Sequence, residues 1–229
     1  MGQGVRVIAM VRTGIAVDAA GRGAAQAALV AADPLAAAAR AGWTHYVRGL
    51  TLDVGRPGFG PGDVIALLSL WTIDADAAIA LAARLNEEEL FGEDHALNGA
   101  KVEAIPVSEG FFIGPARDLM SDGLRATFFV HRRKDMSIAD FRRHWAEIHG
   151  PMLTGQAGVS RYRQNSRLDA SYAPGARFDG VAELSFADMA AFDAFSTCEP
   201  HRSNQMADLP NLFDLGSGKR FFTRETAIF

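Results

Sequence analysis

Two hydrophobic periods alternate along this chain: short runs with the two-residue period of strands, and longer runs with the spacing of helices. The strand-like runs lie at 5–12, 63–71, 101–113, 124–133, 178–186 and 220–229, with two more around Tyr46 and Tyr162. A helical segment follows each first strand, and two later ones lie at 74–89 and 188–198. Ser137 is the predicted N-cap of the helix after residue 133, and Gly150-Pro151 is its predicted end. The order is β-α-β-β-α-β, twice.

The two halves of the chain are similar to each other in sequence. A shift of 116 residues places 63–70 over 179–186 and Tyr46 over Tyr162. The shift grows to 121 at the first strand, so the first half carries about five extra residues before its Tyr strand. Several matches in the same order indicate a duplication. The predicted divisions are a degenerate ferredoxin-like repeat, a linker and a second ferredoxin-like repeat, at 1–114, 115–123 and 124–229.

A ferredoxin-like unit has helices on only one face of its sheet, so the other face must be covered. Two copies in one chain can cover each other. We therefore expect an α+β fold in which two tandem ferredoxin-like (β-α-β-β-α-β) units form an intrachain pseudo-dimeric α+β barrel, with a lumen between the sheets.

Composition narrows the function classes. The net charge is −4 and no basic run is present, which argues against a nucleic-acid partner. Cys198 is the single cysteine, so neither an intramolecular disulfide nor a cysteine-based zinc site is expected. Residues 1–13 do not have the pattern of a signal peptide, and no apolar run reaches the length of a membrane span. We expect a cytoplasmic protein with no membrane partner and no bound metal; a homodimer is left open.

Titratable residues are concentrated in the second half. Strand alternation predicts that Glu183 faces the lumen, as do His131 and Phe129 on the first strand of that half. At repeat-equivalent positions the first half has apolar residues: Ala32 for His149, Met10 for His131 and Leu67 for Glu183. Buried histidines and carboxylates are costly unless they are paired or used. The difference predicts one site per chain, in the second half.

Each of these residues also has a simpler structural interpretation. His149 could cap the end of its helix, where a positive charge is favoured. Glu183 could pair with a lumen arginine such as Arg133 or Arg161. His131 could be a solvated residue at a strand end, and Tyr162, which both halves retain, could serve packing.

The second half resembles the EthD family of the dimeric α+β barrel superfamily. The residues that carry the resemblance are Arg132-Arg133, Met136-Ser137, Phe141-Arg142, His144-Trp145, Ile148-His149-Gly150-Pro151, Tyr162 and the strand 179–186. The match covers about 105 residues, from Leu124 to the end. Relatives in the superfamily include cofactor-free isomerases, cyclases, dehydratases and decarboxylases that act on small aromatic or polyketide-like molecules, and others that bind haem.

This resemblance implies a cofactor-independent lyase or isomerase that acts on a small aromatic or phenolic substrate. His149 would be the general acid/base, since the ordinary pKa of histidine suits proton transfer near neutral pH. Tyr162 and His131 would hydrogen-bond the substrate, and Glu183 would orient a histidine. Substrate binding is assigned to Arg133, Arg161, Trp145 and Phe129. The alternatives are a non-catalytic barrel that binds a hydrophobic metabolite, and a haem protein with a histidine axial ligand.

Overall fold

The computed structural model describes residues 4–33, 35–36, 43–87, 90–91, 93, 95–114, 123–173 and 176–228. The strands are β1 (Val5–Arg12), β2 (His45–Leu52), β3 (Val64–Thr72), β4 (Lys101–Ile113), β5 (Leu124–Val130), β6 (Arg161–Arg167), β7 (Gly180–Phe186) and β8 (Lys219–Ala227). The α-helices are α1 (Ala19–Ala31), α2 (Ala75–Glu87), α3 (Ile138–His144), α4 (Met189–Thr197) and α5 (Met206–Leu212). Two π-helical turns, Trp145–His149 and His201–Gln205, adjoin α3 and α5, and short 3₁₀ turns lie at Gly150–Leu153 and Asp169–Ser171.

The strands in the described part of the chain close into one antiparallel barrel. Their order around it is β1-β3-β2-β8-β5-β7-β6-β4. The two halves of the chain meet at the seams β2–β8 and β4–β6. The predicted α+β barrel is therefore confirmed, and its sheet closes within a single chain.

Helices cover the outer face of the barrel in both halves. Leu29 of α1 and Leu85 of α2 pack with apolar residues of β1 and β3 in one buried cluster. Phe141 and Phe192, from α3 and α4, belong to a second cluster built on β5 to β8. Each helix buries one apolar stripe on the sheet, as expected for amphipathic helices.

Side chains fill the inside of the barrel, as the width of an eight-stranded barrel allows. One part of this interior is apolar and consists of Ile8, Met10, Val64, Leu67, Ile105, Val107, Phe129, Phe178, Val181 and Phe221. The other part is charged. There, Arg6 of β1 pairs with Glu183 of β7, and the two strands are not neighbours, so the contact crosses the interior.

Some boundaries differ from those predicted. β5 ends at Val130 rather than at residue 133. Beyond it, the amide and guanidinium of Arg132 donate to the carboxylate of Asp179, and Arg132 forms an isolated bridge with Phe213 instead of continuing the pairing with β7. The sequence pattern predicts no element between 199 and 219, yet α5 forms there with Pro210 inside it.

Some predicted segments lie outside the described residues. They are residues 115–122 of the predicted linker, 88–89 of the predicted helix and residue 229 of the last strand. Among the described residues, no helix has the length and apolar character needed to cross a membrane.

Candidate functional site

A cavity of about 620 Å³ lies between the outer face of the sheet and the helices of the second half. It is therefore separated by the sheet from the barrel interior, where the alternation of strand residues had suggested a site. Its walls are rich in aromatic rings, contributed by Phe59, Phe128, Trp145, Phe192, Phe195 and Phe213. Such a lining is typical of sites for small, mostly apolar ligands.

Two π-helical turns place polar side chains on the cavity wall. The amide of Gly150 donates to the carbonyl of Trp145, and that of Met206 donates to the carbonyl of His201, which are the i→i+5 bonds of a π-helix. This wider turn places residues four apart on nearly the same side. The first and last residues of both turns, Trp145, His149, His201 and Gln205, accordingly all line the cavity.

His149 is held by a carboxylate from α5. Its Nδ1 lies 2.9 Å from Oδ2 of Asp208, and both side chains are buried. Nε2 of His144 lies 2.9 Å from Oδ1 of the same carboxylate. Nε2 of His149 makes no hydrogen bond to any described residue, so this nitrogen remains available to a ligand. A carboxylate on Nδ1 fixes the tautomer that keeps the lone pair on Nε2.

Burial and hydrogen bonding together set the protonation states of His149 and Asp208. Burial lowers the pKa of His149 below the ordinary value, and the hydrogen bond and charge of Asp208 offset it only in part. Burial also acts to raise the pKa of Asp208, but hydrogen bonds from His149 and His144 outweigh it and lower that pKa. Near neutral pH, His149 is therefore uncharged and Asp208 ionised, which is the pair a general base requires.

Tyr162 lies on the cavity side of β6. Nε2 of Gln164 donates to its hydroxyl at 3.0 Å and to the carbonyl of Trp145 at 2.6 Å. Burial raises the pKa of Tyr162, and Gln164 and Trp145 lower it by less, so the phenol stays protonated. A Cβ at Gly150 would lie 2.9 Å from Nε2 of Gln164, so glycine is needed where this helix end meets the strand.

Cationic side chains lie among the residues that line the cavity. They are Arg202, Lys219 and Arg220. The guanidinium of Arg220 stands 5.5 Å from the ring centre of Phe59. The Arg202 side chain is 65% exposed, so part of the lining faces solvent. An anionic or polarised group on a ligand would be favoured on this side.

Of the residues singled out by sequence, His149, Tyr162 and Trp145 come together at the cavity. Phe129 contributes to its edge, although its ring packs against Phe178 and Phe221 in the barrel interior. These residues share one site because the helix end carrying Trp145 and His149 packs over β6.

Glu183 lies on the other side of the sheet from His149 and contacts no histidine among the described residues. It accepts hydrogen bonds from Arg6, from Arg125 at 3.3 Å and from Asn165 at 3.1 Å. Burial alone would raise its pKa, but Arg6 and Arg125 lower it to about 2. Its surroundings are those of a structural ion pair, with arginines other than the two considered from sequence.

The other sequence candidates also lie away from the cavity. The ring of His131 packs 4.8 Å from that of Phe178, and burial lowers its pKa. Arg133 is exposed and pairs with Asp135 at 2.5 Å. Arg161 is buried and alternates with Tyr162, which places it on the interior face of β6.

The equivalent positions in the first half are apolar or paired internally. Met10 and Leu67 belong to the apolar interior. Ala32 is the C-cap of α1, and the following Asp33 accepts a hydrogen bond of 2.7 Å from the hydroxyl of Tyr46.

Sequence reasoning missed Asp208 and Gln205, and it interprets His201, which follows Pro200, as a solvated loop residue, whereas His201 lines the cavity. Pro200 and Pro210 flank this segment, and two prolines this close together argue against a helix. The signal that could have revealed the segment is the four-residue spacing of His201 and Gln205, which repeats that of Trp145 and His149. Within the described residues, no group of three or more His, Cys, Asp and Glu side chains is arranged to hold a metal ion.

Comparison with known proteins supports the resemblance of the second half. Residues 133–216 match the family model of the EthD domain. No curated protein matches the chain.

Solved structures share the barrel. An anthrone oxidase-like protein superposes with a TM-score of 0.67 at 10% identity, covering 99% of this chain and 94% of the other. A protein provisionally named a monooxygenase, from Lactobacillus acidophilus, gives 0.55 at 11% identity, with 99% and 96% covered. A heme-binding protein from Thermus thermophilus gives 0.51 at 12% identity, with 98% and 92% covered. At these identities the likeness establishes the fold.

Proposed function

We propose that this EthD-domain protein is a cofactor-independent enzyme in which His149 removes and returns a proton on a small aromatic ligand. The observation that carries the proposal is the pairing of His149 with Asp208 at the wall of an aromatic cavity. A neutral imidazole with one nitrogen held by a carboxylate is suited to accept a proton on the other nitrogen.

The chemistry follows from the groups that surround the ligand. Nε2 of His149 accepts a proton from an acidic C–H or O–H, and the electron pair moves into the aromatic or carbonyl system of the ligand. Asp208 stabilises the resulting imidazolium. Return of the proton to another atom gives isomerisation, and its return to a departing hydroxyl gives dehydration. In a decarboxylation, the imidazole would instead take the proton of the carboxyl group and return it to the carbon that carbon dioxide leaves.

Two features support an aromatic ligand. The walls are largely phenylalanine and tryptophan rings, which favour flat apolar molecules through stacking and edge contacts. One structural neighbour is named anthrone oxidase-like, and anthrone is a three-ring aromatic ketone with an acidic methylene group. Tyr162 would contact the ligand from the strand side, opposite the helices.

The division of the chain is part of the same proposal. Strand orders β4-β1-β3-β2 and β8-β5-β7-β6 follow each other around the barrel. We interpret them as two tandem ferredoxin-like units at 1–114 and 124–229, of which the first closes the barrel and the second carries the site. Association of two chains into a homodimer is a further proposal, which light scattering can test.

The test is proton exchange, because it needs no knowledge of the natural reaction. The protein is incubated in D₂O with aromatic carbon acids, namely anthrone, 2-tetralone and 2-indanone, and loss of the acidic C–H signal is followed by NMR. We expect faster exchange with the wild-type protein, loss of that acceleration in His149→Ala, and normal exchange in Arg133→Ala. Ligands that bind in the cavity and exchange no faster than in buffer would exclude the base.

Haem binding is a second candidate, because the same imidazole could serve as an axial ligand. The cavity offers Nε2 of His149 without a hydrogen-bond partner among the described residues, and the cations Arg202, Lys219 and Arg220 could bind carboxylates. If bound, haem would supply redox chemistry that the protein residues cannot. A Soret band in the purified protein, lost in His149→Ala, would favour this function over proton transfer.

A further inference from the structure

Each π-helical turn leaves one buried hydrogen-bond donor unsatisfied at the cavity. Nε1 of Trp145 has no hydrogen-bond partner among the described residues, and neither does Nε2 of Gln205. Both residues line the cavity, and they are 1% and 3% exposed. Two such groups on one cavity wall require a physical explanation, because buried polar groups are nearly always paired.

The nearest side chains do not satisfy these donors. His201 lies 2.6 Å from the amide oxygen of Gln205, which uses the other end of that amide. Nε1 of Trp145 faces the hydroxyl of Tyr162 and lowers its pKa as a donor would, but the contact does not reach hydrogen-bond geometry, so in the described part of the chain Nε1 can still donate to a ligand.

The placement of the donors matches that of the base. Trp145 and His149 are the first and last residues of one π-helical turn, and both line the same cavity. Gln205 belongs to the turn that leads into α5, the helix of Asp208. A ligand oxygen that becomes more negative when His149 takes a proton would be stabilised by both N–H groups.

We infer that Trp145 and Gln205 are the specificity-determining residues of the cavity, and that they select aromatic ligands carrying carbonyl oxygens. The inference rests on the proposed function for the role of His149. It adds the class of ligand: a flat aromatic ketone or quinone whose oxygen accepts hydrogen bonds from Nε1 of Trp145 and Nε2 of Gln205.

The test uses a matched pair of probes, 9-fluorenone and fluorene, which differ in having a carbonyl or a methylene at the same position. Binding of each is measured by calorimetry on the full chain. We expect the wild-type protein to prefer fluorenone, with about a 3–10-fold contribution from each donor, because a buried hydrogen bond adds a modest net gain.

Two variants test which donor atoms cause the preference for fluorenone. Trp145→Phe removes the indole N–H and keeps an aromatic ring, and Gln205→Glu keeps the oxygen that contacts His201 while removing the amide donor. Each should lower the ratio of the affinity for fluorenone to that for fluorene, because any loss of ring contacts affects both probes while loss of the N–H affects only fluorenone. Trp43→Phe, in the first half, is the matched control and should change neither affinity. Circular dichroism confirms that each variant is folded, and Gln205→Leu replaces Gln205→Glu if the added charge unfolds it.

The outcomes separate this inference from the proposed function. Equal affinities of the wild-type protein for the two probes would overturn it, as would a fluorenone preference that survives in both variants. His149→Ala should keep the preference while losing proton exchange. The wild-type protein could also fail to accelerate proton exchange while its preference for fluorenone depends on Trp145 and Gln205. That result would contradict the role of His149 as a base and support the selectivity of the two donors.

Discussion

Oδ2 of Asp208 lies 2.9 Å from Nδ1 of His149, although 59 residues separate the two along the chain. The contact joins the π-helical turn Trp145–His149, which packs over β6, to helix α5, which precedes β8. It holds the base in one tautomer and also helps to fix one wall of the cavity, so its loss should affect catalysis more than folding.

Asp208→Asn tests this directly. An asparagine can keep a hydrogen bond to Nδ1, but it removes the charge that stabilises the imidazolium. We expect the rate of proton exchange to fall by a factor of about 10²–10⁴, as for loss of a general acid/base, and His149→Ala to fall at least as far. Thermal denaturation followed by circular dichroism provides the check on folding. Full activity in Asp208→Asn would show that the carboxylate has no catalytic role.

The contact between His149 and Asp208 also predicts how activity depends on pH. Since burial lowers the pKa of His149, its neutral form should persist below the ordinary value of about 6.5. Activity should therefore stay constant as the pH falls through 6.5 and decline only at lower pH. Asp208 raises this pKa, so Asp208→Asn should move the decline to still lower pH. The midpoint can be measured by NMR titration of the His149 ring, and a midpoint above 6.5 would contradict the assignment.

The fold could be predicted from sequence because its determinants are local and repeated. The strand Lys101–Ile113 begins and ends where the pattern predicts, and helix α4 is shorter by one residue at each end than the predicted 188–198. Asp188 accepts a hydrogen bond from the amide of Ala191 at 2.9 Å, as expected of an N-cap. Polar and apolar alternation was enough to place Glu183 on the interior face.

The site could be predicted only in part, because alternation does not show which face of a sheet holds a cavity. His149 was found because the first half has an alanine at the equivalent position, whereas Tyr162, which both halves retain, was found through the resemblance to the EthD family. Asp208 belongs to a helix that no periodic pattern predicts, and its partner His149 is distant in sequence. Like His149, Glu183 has an apolar residue at its equivalent position in the first half. It nevertheless forms ion pairs with Arg6 and Arg125, and these partners on other strands cannot be predicted from the pattern of one strand.

The interior ion pairs should matter for stability. Glu183→Gln would leave Arg6 buried without its ion-pair partner, while Arg125 would keep Glu225 at 2.8 Å. Removing one partner of a buried pair costs about 3–5 kcal/mol. We expect a large decrease in the free energy of unfolding, measured in urea. Asp193→Asn, which breaks the half-exposed pair with Arg56, is the control and should cost about 0–1 kcal/mol. Similar losses in both variants would show that the interior pair carries no special weight.

Acid should weaken the same contact in the wild-type protein. The pKa of Glu183 is lowered to about 2 in the fold, from 4.5. The stability that Glu183 contributes is therefore fully present above pH 4.5 and is lost as the pH falls toward 2. Urea denaturation at a series of pH values should show the wild-type protein losing stability over this range more steeply than Glu183→Gln. Parallel curves for the two proteins would mean that Glu183 does not titrate as expected.

Gly180 of β7 should be required for the position of Trp145. A Cβ at residue 180 would lie 2.5 Å from the indole ring and 2.7 Å from the carbonyl oxygen of Asn165, both too close for ordinary contact. Gly180→Ala must therefore displace the indole, since the strand backbone is fixed by its ladder. We expect a loss of about 1–3 kcal/mol in stability, typical of overpacking, together with weaker binding of aromatic ligands. Gly23→Ala, in α1, is the matched control, because a Cβ there would meet no atom within 4 Å and alanine favours a helix. If Gly180→Ala kept wild-type stability and ligand affinity, the close packing of Trp145 against β7 would not be what shapes this cavity.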